Sequence, residues 1–243
     1  MGNLVHLTAM PTYFKMRETL IANLTWLFVL LPIIIALSKI SVIDKSYYWF
    51  IIFLSIDFIS ESISPFITNI KYINIFQLIV SNIGILVTLK ILFRWGYLKN
   101  KLKVKNIIVV GFVALSILDL IIEPHNSIRV SWFYLISMPL MIIVLVHFLT
   151  TLNKEPITNK KRLSILLIIL PIIILSIYYS VLQILMAFLY NSNTQSLFIK
   201  LFDLIIYINL ANYICYSLAF LWAPKNEVYL DMSQEQHIPQ LQK

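Results

Sequence analysis

Asp57, Ser60 and Glu61 stand in SIDFISESISPFITN, residues 55–69, inside a run otherwise built of Ile, Leu, Phe and Trp. Spacings of three and four place them, with Ser64 and Thr68, on one face of a helix. Two carboxylates one turn apart in low dielectric do not both ionise comfortably. The pair is therefore expected to keep at least one proton near neutral pH, and to share that proton or bind a cation. A carboxylate facing lipid costs about 2.5 to 3.5 kcal/mol at mid-helix, so this face is expected to look into a bundle. Other polar side chains recur at helical spacing: Asn74, Gln77, Ser81 and Thr88, with Gly84 on the same stripe; Ser116, Asp119 and Glu123; Tyr179, Gln183 and Tyr190; Asp203 with Tyr207. The candidate ligand or proton site is thus Asp57, Ser60, Glu61, Gln77, Asp119, Gln183 and Asp203. Such an acidic set suits a proton, a metal ion or an amine.

The elements that must position these residues follow from hydropathy. Of 243 residues, 60% are hydrophobic and 12% charged, and the mean hydropathy is +0.86, which together specify an integral membrane protein. Crossing a bilayer takes roughly 20 apolar residues. Seven such spans are expected, at about 20–40, 47–69, 73–95, 104–123, 130–150, 163–190 and 197–222, giving an all-α, seven-helix bundle over 1–223 and a short polar tail over 224–243. The first span lacks the basic start and small-residue cleavage site of a signal peptide and is read as retained. Tyr47, Tyr48, Trp49, Trp95 and Trp222 are expected to form interfacial belts, and Asn209 and Asn212 to act as interhelical glue.

Charge sets the orientation. RWGYLKNKLKVKN carries Arg94, Lys99, Lys101, Lys103 and Lys105, and NKEPITNKKR carries Lys154, Lys160, Lys161 and Arg162 against Glu155. Both connections are expected in the cytoplasm, where they face anionic inner-leaflet lipids, with the N-terminus outside and the tail inside. The net charge of +8 is then membrane-surface charge rather than a nucleic-acid footprint. Counted from the basic ends, Asp57 lies near the midplane and the remaining acids in the outer half, while the inner halves read LPIIIAL, IIVVGFVAL, LMIIVLV and LLIILPIIIL. A polar chamber closed toward the cytoplasm is expected. Lys90 points away from the stripe and is expected to snorkel to headgroups.

Several chemistries find no support. A retinal Schiff base needs a Lys in the middle of the last span, where the chain reads YINLANY; Lys200 stands at its edge. His6, His125, His147 and His237 are scattered over termini and span ends, unlike the ligands of a zinc hydrolase. No GxSxG, HExxH or Gly-rich phosphate loop occurs, so an enzyme is not expected, nor a cofactor. The single Cys215 forms no disulfide within the chain.

At SIDFISESI, at NIFQLIVSNIGI and at IIYINLANYICYSLAFLW, the chain resembles a broad group of small bacterial seven-helix membrane proteins of uncharacterised function. The resemblance implies an acidic second helix, a short outer hairpin and a last helix with Asn before an aromatic cluster. The residues themselves point to a receptor-like or sensory protein of a bacterial inner membrane, acting through a separate protein partner at its cytoplasmic loops or tail. A proton- or cation-coupled small-solute transporter is the alternative, and a membrane-embedded enzyme the third reading.

Overall fold

The computed structural model describes residues 27–63, 66–67, 70–122, 132–154, 157–189 and 194–224. Its α-helices are α1 (Leu27–Ser38), α2 (Tyr48–Ile63), α3 (Ile70–Arg94), α4 (Leu102–Ile122), α5 (Trp132–Leu152), α6 (Asn159–Leu189) and α7 (Gln195–Trp222). A 3-10 turn, Lys45–Tyr47, leads into α2, and no β-strand occurs among the described residues. The fold is all-α. Each expected span falls on one of these helices, as it must if apolar segments are to satisfy their own backbone hydrogen bonds away from water.

Among the described residues, four helices are long and apolar enough to cross a membrane: Ile75–Arg94, Leu135–Leu152, Asn159–Met186 and Asp203–Trp222. The described part of α1 is shorter, and α2, at 16 residues, reaches about 24 Å against a hydrocarbon core of about 30 Å. The expected start of the first span, the outer connections and the tail beyond residue 224 lie outside the described residues.

Successive helices pack against one another, most closely α2 on α3, and α6 between α5 and α7. The α6 span is 50% buried, against 28 to 33% for the other three, which makes it the central helix of its half. Serines and threonines satisfy themselves within these helices: Ser55 donates to the Ile51 carbonyl, Thr88 to Gly84, Ser116 to Phe112 and Ser217 to Tyr213. Much of the polar striping is thereby neutralised locally.

Helix ends explain how the chain turns at the basic end. After α3, Gly96 has φ +94°, and the amides of Gly96 and Tyr97 bond back to the carbonyls of Phe93 and Leu92. This is a Schellman closure, for which glycine carries no side-chain penalty. It delivers Trp95 and Tyr97 into the core, where they are 4% and 5% exposed. Tyr47 is fully buried as well. Tyr47 and Trp95 therefore depart from the expected interfacial belt: Trp95 donates its indole N–H to Ser46 Oγ at 3.1 Å, and its ring packs on Tyr47 and Phe148. Trp222 is exposed.

The tightly packed core is not spread evenly along the bundle. Phe50 and Leu54 near the start of α2, Leu89 and Leu92 near the end of α3, Leu145 and Phe148 near the end of α5, Ile165 and Ile168 near the start of α6, and Phe220 near the end of α7 are all almost fully buried. All of these stand near the basic end. At the other end the described residues form a small separate cluster around Leu182 and Met186. Where α2 meets α3, a Cβ on Gly84 would stand 3.6 Å from Phe53 Cε2, an ordinary contact. Gly84→Ala is accordingly expected to raise stability by about 0.5 to 1 kcal/mol through the lost freedom of glycine. A thermal melt in detergent checks this, and a lower midpoint would mean that α2 and α3 approach more closely than here.

Candidate functional site

Asp57 stands nine residues into α2, and Tyr213 nine residues before the end of α7. α2 starts from the basic end and α7 finishes there, so at 1.5 Å per residue both side chains stand about 14 Å above it. There the Tyr213 hydroxyl donates a hydrogen bond to Asp57 Oδ2 at 2.8 Å. Glu61 follows one turn further from the basic end, half-buried, with Ser60 beside it, 4% exposed. Among the described residues no Lys, Arg or His lies within ion-pair distance of either carboxylate.

Beneath Asp57 the same face of α2 turns aromatic. Phe53 and Phe50, four and seven residues earlier, stack at 5.7 Å. Phe50 meets the edge of Tyr216 at 4.9 Å and stacks on Phe220 at 5.6 Å. Phe220 touches Tyr47, and Tyr47 meets Trp95. A continuous aromatic column thus fills the space between the acid pair and the basic end. Offset and edge-on ring contacts of this kind contribute about 0.5 to 1.5 kcal/mol each beyond burial.

Two of the expected site residues, Asp203 and Gln183, stand away from Asp57. Asp203 is half-buried on α7, ten residues or about 15 Å before Tyr213. Gln183 belongs to α6 beside the Leu182 cluster, and its Oε1 is buried without a hydrogen-bond partner. Gln77 is half-buried on α3. The α3 and α4 stripes do meet, where Ser116 Oγ stands against Asn82 Oδ1. The side chains of Asp119 and Asn74, and all of Glu123, lie outside the described residues. Among those described, no three His, Cys, Asp or Glu side chains converge as a metal site.

Two features escaped the reading of the sequence. The first is Tyr213, which spacing within α7 does not link to Asp57; its matching depth, counted from the basic end, is the signal that finds it. The second is a buried ion pair at the basic end, where Lys161 Nζ meets Asp44 Oδ2 at 3.1 Å with the side chains 3% and 8% exposed. Lys161 thus departs from the lipid-facing role expected of its basic run, whereas Lys99, Lys101, Lys103 and Lys160 are exposed. Lys90 is exposed with its Nζ 5.6 Å from the centre of the Trp49 ring.

Burial alone would raise the Asp44 carboxyl, but the backbone N–H of Ser46 and the Lys161 ammonium outweigh it and hold the group below its ordinary 3.8. A lowered folded value means that the carboxylate stabilises the fold fully above the unfolded value and loses that contribution as pH falls through the folded one. Wild-type stability is thus expected to drop on acidification below pH 3.8. Asp44→Asn is expected to be less stable at neutral pH and to lack this part of the acid dependence, as thermal midpoints across an acid series would reveal.

No protein-family model, no curated protein and no solved structure matches the chain.

Proposed function

We propose that this chain is a receptor-like or sensory integral membrane protein of a bacterial inner membrane, with seven crossings, its N-terminus outside and its C-terminus in the cytoplasm. Its responsive site is the acid pair Asp57 and Glu61, reached from the outer face and occupied by a proton or a small cation. The observation that carries this reading is the column under Asp57: a carboxylate held by Tyr213, without a cationic partner, resting on packed aromatic side chains that continue to the basic end. A carboxylate in low dielectric without a counter-charge favours a proton or an incoming cation.

Output in this reading passes through the basic connections or the segment over 224–243 to a separate protein. The exposed cations at Arg94–Lys105 and Lys154–Arg162 face anionic inner-leaflet lipids. Reconstitution with a pH-sensitive dye sealed inside liposomes tests the assignment. An acid pulse on the outer face is expected to change intrinsic Trp and Tyr fluorescence without acidifying the lumen. Luminal acidification that depends on Asp57 would replace this reading with a proton-coupled carrier. One observation favours that second reading: the basic end is closed in part by an ion pair, which is a breakable contact.

A further inference from the structure

We propose that the Asp44–Lys161 ion pair is the lock of a gate at the basic end, whose opening gives access from that side to the space beneath the acid pair. The proposal takes its purpose from the acid-site reading above. Its geometry and its test involve neither Asp57 nor Glu61, so either can fail without the other.

Three parts of the chain meet at this lock. Asp44 belongs to the link between α1 and α2, Lys161 to the first turn of α6, and the end of α7 joins through backbone groups. Asp44 Oδ2 takes the Lys161 ammonium and Oδ1 takes the Ser46 amide at 2.8 Å, while the Asp44 amide donates to the Pro224 carbonyl at 3.3 Å. Lys39 Nζ donates to the Leu221 carbonyl at 3.0 Å, and Ser164 Oγ to the Ala219 carbonyl at 2.7 Å. A closure meant to be permanent gains little from this chemistry, since replacing a buried ion pair by apolar side chains of similar volume is often neutral or stabilising. What an ion pair adds is reversibility. Its attraction is strong while the site is dry and falls steeply once water enters.

The segment carrying Lys161 also has a place to bend. Pro171 lies inside α6, ten residues beyond Lys161; it has no N–H, so the Leu167 carbonyl loses its helical partner and the helix is weakened there. On the facing helix, Asn212 stands two turns before Ala219, the residue that meets Ser164 on α6. It is 5% exposed, and its Nδ2 is buried without a hydrogen-bond partner. The first third of α6 is therefore bounded by the lock at one end and by a weak, incompletely satisfied point at the other. Between them Ile165, Ile168 and Ile169 pack into the core that holds Phe220 and Phe50. Swinging this segment outward uncovers the aromatic column.

Ala219, fully buried between the lock and that weak point, is the reporter. Ala219→Cys is placed in a Cys215→Ser background in lipid nanodiscs, and its rate of reaction with a water-soluble maleimide is measured. Leu182→Cys, in the cluster at the opposite end, reports general loosening. Lys161→Met and Asp44→Asn are each expected to speed modification at 219 at least tenfold while 182 stays protected. Exchanging the charges, Asp44→Lys with Lys161→Asp, is expected to slow it again. An unchanged rate at 219, a parallel rise at 182, or no recovery on exchange would overturn the gate.

Discussion

Lys161→Met is expected to be among the most damaging single substitutions in this chain, lowering stability by about 3 to 5 kcal/mol. The reason is what it leaves behind. Asp44 keeps its bonds to Ser46 and Pro224 but stays in a site where its side chain is 8% exposed, now without its counter-charge. Removing both charges together, as Asp44→Leu with Lys161→Met, is expected to return stability close to wild type, because no uncompensated ion remains. Thermal unfolding of the single and double variants in one detergent closes the cycle. If the single loss were below about 1 kcal/mol, the magnitude typical of exposed pairs, the pair would be wet rather than buried.

Asp57→Asn carries the second large effect, on response rather than on stability. Asn keeps the shape and can still accept from the Tyr213 hydroxyl, but it cannot bind a proton in the working range or balance a cation. The fluorescence response to outer-face acidification is expected to disappear, with the melting temperature little changed. Tyr213→Phe separates holding from binding. It deletes a hydrogen bond to a group that bears the charge, worth about 1.5 to 3 kcal/mol, and so is expected to move the half-response concentration about 10- to 100-fold while the response itself survives. A full response in Asp57→Asn would remove the acid pair from the account.

The helices were legible because hydropathy over 20 residues is a local property, and the acidic face of α2 because spacings of three and four are fixed by the helix itself. Depth was legible too. Counting from the basic connections puts Asp57 at mid-height, where α7 brings Tyr213 to meet it. What spacing within one helix cannot supply is the rotation of one helix against another that is distant in sequence. Asp203, Gln183 and Gln77 share a helical stripe logic with Asp57, yet α6 and α7 carry the first two well away from it.

Charge counting misled in one place for a physical reason. It treats every Lys in a connection as wet, whereas Lys161 falls in the first turn of α6, turned inward onto Asp44. Tyr47 and Trp95 show the same limit: aromatic residues at span ends commonly sit at the interface, but here a Schellman turn and a 3-10 turn fold them under the bundle.

The most direct test of the central claim is side-specific labelling of Ser60→Cys and Glu61→Cys in a Cys215→Ser background, using an impermeant thiol reagent on membranes of each orientation. The account predicts modification from the outer face and protection from the face that carries the basic connections. Modification from the basic face in the otherwise native protein, or protection from both faces, would contradict it.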